Sequence, residues 1–235
     1  MTFFKTSVKL DMVLNGTGVV IPAFNASKTL GPIIKNLLDY GFNKENIILV
    51  DDGSEDKTSD VGLSYGVEVI RIERNTGKGF ALNLGFQKAM SKGLKKVFTL
   101  DADGQHLVEE MEKFSDYSDI SDIIIGNRNN NYQAMPFIRK VVNRITSLVI
   151  SLLSKKYIPD VQSGYRLINL EVFKKIKLKT KNFQTESELV YRAIKNGYRI
   201  NFVPITTIYN NSKSYILPVL DTVRFINMAV RFLWG

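Results

Sequence analysis

The chain has 235 residues, of which 44% are hydrophobic and 23% charged, with no cysteine and a formal net charge of +9. Such a composition fits one large folded domain, or a domain plus an appendage, and excludes a disulfide framework and any thiolate metal site. The charge is uneven: residues 1–132 carry 15 Lys and Arg against 18 Asp and Glu, whereas residues 133–235 carry 17 against 5. The second half is either a well-solvated basic surface, the reading charge alone favours, or a face toward something anionic: phosphate, membrane surface or nucleic acid.

Residues 1–16 carry no periodic signal and read as an N-terminal extension; Met1-Thr2-Phe3-Phe4-Lys5 has no signal-peptide core. Gly18-Val19-Val20-Ile21-Pro22 is a buried strand ending at Pro22. Ser27 is read as the cap of a helix through Leu30, Ile33, Ile34, Leu37 and Leu38, closed by Gly41. Ile47–Val50 is a second strand that runs into Asp51-Asp52-Gly53-Ser54. A helix around Ser59–Tyr65 and a third strand, Val67–Ile72, lead to Arg74-Asn75-Thr76-Gly77-Lys78-Gly79, a glycine-punctuated basic loop before a helix from Phe80 to Met90. Val97–Leu100 is the next strand. A polar helix near Val108–Phe114 precedes the strand Ile120–Ile125, which delivers Gly126-Asn127-Arg128.

Residues 137–156 form a basic amphipathic helix, apolar at Ile138, Val141, Val142, Ile145, Leu148, Val149, Leu152 and Leu153. It serves either as a core helix with a basic outer face or as a membrane-facing one. Glu186–Asn196 is helix-like, Ile200–Ile208 strand-like, and Ser214–Trp234 amphipathic, interrupted by Pro218, Asp221, Arg224 and Arg231. The expected architecture is α/β: a single domain over 17–213, a mainly parallel central sheet with helices on its faces, and a C-terminal amphipathic segment at 214–235.

In such sheets ligands bind beyond the carboxyl ends of the strands, where Asn25, Asp51-Asp52 and Asp101-Asp103 all fall. Asp101 and Asp103 follow the strand that ends at Leu100, and Asp103-Gly104 turns the backbone so that both carboxylates can share one site. Two hard oxygen ligands at an open strand end suit Mg²⁺ or Mn²⁺, ions that keep waters and bind substrate phosphates. Lys78 either aids an anionic ligand or is a solvated loop lysine. The complete phosphate-binding and dinucleotide-binding glycine patterns are absent. No nucleic-acid signature occurs, so no nucleic-acid partner is expected. His106, the one histidine, has no second His or Cys to build a site with, and is read as structural.

Taken together, Val20-Ile21-Pro22-Ala23-Phe24-Asn25, Val50-Asp51-Asp52-Gly53-Ser54, Asn75-Thr76-Gly77-Lys78-Gly79 and Leu100-Asp101-Ala102-Asp103-Gly104-Gln105-His106 resemble a family 2 glycosyltransferase of the nucleotide-diphosphate-sugar-binding, Rossmann-like fold called GT-A. Asp160-Val161-Gln162-Ser163-Gly164-Tyr165-Arg166 and Phe183-Gln184-Thr185-Glu186-Ser187-Glu188 resemble the polyprenyl-phosphate (dolichyl-phosphate) hexose synthase branch. This resemblance implies that Pro22, Ala23, Asn25 and Asp51 hold the donor nucleoside, and that Asp101 and Asp103, with Gln105 beside them, bind Mg²⁺ or Mn²⁺ on its diphosphate. Lys213 matches a late basic position near the phosphates, and Lys78, in a loop that differs from the form usual in dolichol-phosphate mannose synthases, is a candidate aid to donor binding. Arg128, Arg139 and Asn143 match positions that hold the lipid phosphate.

The implied reaction is inverting, metal-dependent transfer of a hexose from a nucleotide-diphosphate sugar to a polyprenyl monophosphate. The Lys78 loop is nearer the glucose-type pattern, so UDP-glucose is preferred to GDP-mannose. A lipid phosphate is already anionic and needs no strong base, whereas a sugar-hydroxyl acceptor would need one, with Asp160 or Glu186 as candidates. That hydroxyl-acceptor transferase is one alternative, and a catalytically silent membrane scaffold is another. A lipid acceptor also implies peripheral docking on the cytoplasmic face of a membrane, through residues 214–235 and helix 137–156, with Phe232 and Trp234 as interfacial anchors.

Overall fold

The computed structural model describes residues 14–128, 137–208 and 218–234. Seven strands build one sheet: β1 (Thr17–Ala23), β2 (Ile47–Asp51), β3 (Glu68–Arg71), β4 (Lys96–Thr99), β5 (Ile123–Asn127), β6 (Arg166–Asn169) and β7 (Ile200–Pro204). Their order is β3-β2-β1-β4-β6-β5-β7. All neighbours are parallel except at β6, which runs antiparallel to β4 and β5. The helices are α1 (Ser27–Tyr40), α2 (Thr58–Ser64), α3 (Lys78–Ser91), α4 (Glu112–Ser115), α5 (Phe137–Ser154), α6 (Thr185–Lys195) and α7 (Pro218–Trp234).

The unbroken apolar runs of β1 and β2 arise because both faces of the sheet are covered. Val19, Ile21, Ile47 and Leu49 point into one core with α1, Phe98, Phe114 and Tyr165. Val20, Ile48 and Val50 point the other way, into a core built with α3, Ile150 of α5 and Leu189 and Ala193 of α6. β2 and β4 flank β1 on opposite sides. The connections leaving β1 and β4 therefore diverge and open a crevice at their carboxyl ends.

Several boundaries move for local reasons. Ser27 is the first residue of α1 rather than its cap. The exposed amides there are satisfied from a distant loop: Ala26 N–H donates to Thr58 Oγ1 at 2.8 Å and Ser27 N–H to Asp56 Oδ2 at 3.1 Å. α3 begins at Lys78, two residues before the expected start, with Gly77 at φ 110° as its cap. Lys78 thus belongs to a helix's first turn, not to a loop. Pro218 opens α7 instead of interrupting it, a position where its missing N–H costs nothing. The expected strand 200–208 stops at Pro204.

α7 is docked on the domain. Phe225 and Met228 are buried in the second core, and the Phe232 ring stacks on Tyr191 of α6 with centroids 4.0 Å apart. Phe232 is therefore partly covered by an internal contact. The Trp234 side chain, Lys213 and most of residues 1–16 lie outside the described residues. Leu220, Val223, Ile226, Val230 and Leu233 remain exposed along α7, as do Phe137, Ile138, Ile145, Leu148 and Leu152 along α5. Among the described residues no helix is long and apolar enough to cross a membrane.

Candidate active site

A cavity of about 1340 Å³ opens at the carboxyl ends of β1, β2 and β4. Pro22, Ala23 and Asn25 line its β1 side, and Asp52, Lys78, Asp101, Asp103 and Gln105 its floor. Asn25 sits at φ 50° and ties this edge to the loop after β2. Its N–H donates to Ser54 Oγ and its Oδ1 accepts from Glu55 N–H, each at 2.8 Å.

The two acids at the end of β2 divide their work. Asp51 is fully buried and absent from the cavity wall. Its carboxylate accepts from Ser54 N–H at 2.9 Å and from the Ser59 hydroxyl. Asp52 lies on the wall and receives Thr76 N–H at 2.8 Å and Gly77 N–H at 2.7 Å. It thereby fixes the turn that starts α3. Burial raises the Asp52 pKa, and these two amides offset part of that rise.

Asp101 leaves β4 beside Gly164, where a Cβ would stand 2.5 Å from its carboxylate, so only glycine allows this approach. Its Oδ1 is 2.6 Å from Lys78 Nζ, and the same ammonium lies 2.8 Å from Glu186 Oε1. Glu186 comes within reach because α6 starts against α3, where Gly79 leaves no room for a side chain beside Thr185. Burial favours a neutral Asp101, but Lys78, with Arg128, holds its carboxyl below the usual range. Burial disfavours the Lys78 ammonium too, yet Asp101 and Glu186 override it and raise its pKa. Asp103 accepts only a turn hydrogen bond from Gln105 N–H, at 3.0 Å. Burial, and then the neighbouring Asp101, push its pKa up to about 6.

Asp101 is paired with Lys78, whereas Asp103 forms no ion pair among the described residues, which leaves a carboxylate that a divalent cation fits. No group of three or more Asp, Glu, His or Cys able to hold a metal occurs among the described residues. The two aspartates could therefore bind an ion only together with water and ligand oxygens, which is how Mg²⁺ commonly binds substrate phosphates. His106 is partly buried on the cavity wall beside them, its ring 5.0 Å from that of Tyr165 and its Nδ1 without a hydrogen-bond partner among the described residues. Burial lowers its pKa to about 4, so it is neutral at pH 7.

Farther along the cavity, β5 delivers Arg128, and α5 contributes Arg139 and Asn143. Arg128 grips Asp160 in a two-pronged pair, Nε to Oδ2 at 2.7 Å and Nη2 to Oδ1 at 2.8 Å. Asp160 is fully buried and off the cavity wall. Burial opposes its charge, but Arg128 holds its carboxyl below the usual range. Asn143 is buried on the wall, and neither its Oδ1 nor its Nδ2 has a hydrogen-bond partner among the described residues. Beyond these residues the cavity becomes an apolar cleft between α5 and α7, lined by Ile145, Val149, Ile226 and Val230.

Sequence reading missed two organisers. Arg166 is buried within its motif and donates to the carbonyls of Val161 and Ser163 at 2.7 Å, and of Glu186 at 3.0 Å. It ties the Asp160 loop to the start of α6. Glu188 collects Lys179 and Thr180 N–H groups and Arg192, bracing the segment before α6. Both lie in quoted motifs, but only their burial reveals these roles.

Residues 18–177 match the family model described as Glycosyl transferase family 2. The chain is 33% identical over 215 residues to the UDP-N-acetylglucosamine–dolichyl-phosphate N-acetylglucosaminyltransferase of Methanococcus voltae, covering 81% of this chain and 85% of that one. It is 30% identical over 203 residues to the polyprenol monophosphomannose synthase of Mycolicibacterium smegmatis, covering 81% and 76%. Among solved structures, glucosyl-3-phosphoglycerate synthase from Mycobacterium tuberculosis with Mn²⁺, UDP and phosphoglyceric acid superposes with a TM-score of 0.68 at 18% identity. That match covers 95% of this chain and 80% of the other.

Proposed function

The chain belongs to glycosyl transferase family 2, and on that premise we propose that it transfers a hexose, with inversion, from a nucleotide-diphosphate sugar to a polyprenyl monophosphate. One observation carries this reading. A single cavity runs from acidic residues, past Arg128 and Arg139, into an apolar cleft. Those three regions match a metal-bound diphosphate, an acceptor phosphate and an isoprenoid chain in turn. The relatives named for dolichyl-phosphate and polyprenol substrates support the same acceptor class.

Asp101 and Asp103 would hold Mg²⁺ or Mn²⁺, and the bound ion would supply Lewis-acid neutralisation of charge on the leaving nucleoside diphosphate. Pro22, Ala23 and Asn25 form the wall against which the nucleoside lies. Asp51 supports that wall from behind. Arg128, oriented by Asp160, and Arg139 draw the acceptor phosphate toward the anomeric carbon and offset the repulsion between two anions. The buried Asn143 amide supplies a further polar contact. The acceptor oxygen is ionised near pH 7, so its attack needs no general base. Asp160 and Glu186 are both engaged, by Arg128 and Lys78, which argues against a hydroxyl acceptor that depends on either as base. The donor is UDP-glucose in preference to GDP-mannose, on the form of the Gly77-Lys78-Gly79 turn.

Ile138 and Ile145 of α5 and Ile226, Val230 and Leu233 of α7 are exposed and line the cleft, and further apolar residues of the two helices, Leu148, Leu152, Leu220 and Val223 among them, are exposed as well. They dock the protein peripherally on the cytoplasmic face of a membrane, so that an acceptor can keep its chain in the bilayer. Lys213 is assigned to the donor phosphates by its place in the sequence. A panel of radiolabelled UDP-glucose, UDP-N-acetylglucosamine and GDP-mannose with polyprenyl phosphate, followed by lipid extraction, tests the assignment. Label is expected in the lipid phase, most from UDP-glucose. Transfer only to water-soluble sugar acceptors would replace this reading with the hydroxyl-acceptor one.

A further inference from the structure

Lys78 stands where the donor site's two kinds of charge meet. Its ammonium bridges Asp101 at 2.6 Å and Glu186 at 2.8 Å, and its side chain is 15% exposed on the cavity wall. Asp103, two residues from Asp101, has no ammonium or guanidinium within ion-pair distance among the described residues. The backbone of α3's first turn is pinned from both sides. Asp52 holds Gly77 N–H, and Lys181 C=O receives Phe80 N–H at 3.1 Å. Only the flexible part of the Lys78 side chain is left to move.

We propose that Lys78 competes with a divalent ion for Asp101, and moves its charge onto the nucleotide's diphosphate when ion and nucleotide enter together. The inference rests on reading Asp101 and Asp103 as the metal-bearing pair. A divalent ion on Asp101 meets a full positive charge on the same carboxylate, so ion alone binds weakly. A diphosphate brings negative charge between the two cations and turns their repulsion into a shared attraction. Nucleotide then tightens ion binding, and by linkage the ion tightens nucleotide binding by the same factor. Glu186 is the second anchor that keeps the ammonium at hand, so that it relocates over a short distance instead of leaving the site. The consequence is a protein that discriminates against free ion and against free nucleotide, and fills its donor site with the pair.

Mn²⁺ affinity is measured by electron paramagnetic resonance of the free ion, with and without UDP, on the full chain and on Lys78→Gln. In the wild type UDP should tighten Mn²⁺ binding at least tenfold. Lys78→Gln should bind Mn²⁺ alone at least threefold more tightly, and its UDP-dependent gain should shrink at least fivefold. Lys78→Arg, which retains the charge, should keep the gain within threefold of wild type, and it tests the idea even if the glutamine variant does not fold. An unchanged gain in folded Lys78→Gln, or its loss in folded Lys78→Arg, overturns the competition. If the wild type fails to bind Mn²⁺ even with UDP present, the metal reading itself is overturned, and this inference with it.

Discussion

Replacing Asp160 with asparagine separates a positioning role from a base role. The carboxylate is fully buried and receives three hydrogen bonds from Arg128, at 2.7, 2.8 and 3.2 Å. Asparagine keeps the shape but turns one acceptor into a donor that faces the guanidinium, and it removes the counter-charge. Breaking a buried pair by deleting one partner costs about 3–5 kcal/mol. The Arg128 side chain is 17% exposed and retains some hydration, so we take the lower end, about 3 kcal/mol. For a chain of this size that lowers the melting temperature by roughly 6–12 °C.

Because the folded Asp160 pKa is depressed, its contribution is present above the ordinary carboxylate pKa and is lost as pH falls through the folded value. The gap between wild type and variant should therefore be full at pH 7 and should close only below about pH 4. In assays, loss of Arg128 orientation raises KM for polyprenyl phosphate and spares donor binding, whereas loss of a base would lower kcat at saturating acceptor. Wild-type melting together with wild-type acceptor KM in Asp160→Asn would refute the reasoning.

Asp103→Asn should abolish transfer while stabilising the fold, by on the order of 1–3 kcal/mol at pH 7.5. The raised pKa of about 6 makes ionised Asp103 a burden above pH 6 that fades toward pH 4, so calorimetric melts across that range check the sign. Arg139→Ala should weaken use of polyprenyl phosphate by about 1.5–3 kcal/mol and leave nucleotide affinity, measured by calorimetry without lipid, unchanged. Val223→Glu with Val230→Glu, both on the exposed side of α7, should reduce co-sedimentation with anionic liposomes without lowering the melting temperature. Undiminished co-sedimentation would remove α7 from the docking surface.

Much of this was legible because parallel strands buried on both faces announce themselves locally. Val19-Val20-Ile21 and Ile47–Val50 carry the pattern in their own residues, and polar clusters at strand ends mark the crevice. What stayed hidden depends on partners far away in sequence. Ser27 resembles a cap, but its amide is served by Asp56. Lys78 resembles a loop lysine until Gly79 lets α6 bring Glu186 to it across 108 positions. Asp160 and Glu186 look equally suited to be bases in the sequence, where their pairing with Arg128 and Lys78 cannot be read. Phe232 reads as an interfacial anchor because no local signal discloses Tyr191 beneath it.

The antiparallel strand β6 joins the Asp101 end of the cavity to the Arg128 end. It lies between β4, which leads to Asp101, and β5, which delivers Arg128. Running against both, it brings the preceding loop, residues 160–165, to the same edge of the sheet as their carboxyl ends. Gly164 touches Asp101 and Asp160 holds Arg128, so a single loop contacts both halves of the site. Arg166, the first residue of β6, locks that loop to the carbonyl of Glu186, whose carboxylate holds Lys78. Charges, fully buried at Asp160 and partly buried elsewhere, then alternate from Asp101 through Lys78 and Glu186, and from Asp160 to Arg128, around one loop. For the proposed joining of two anions, this arrangement holds Arg128 in place through Asp160, while the flexible Lys78 side chain keeps the freedom to move its charge.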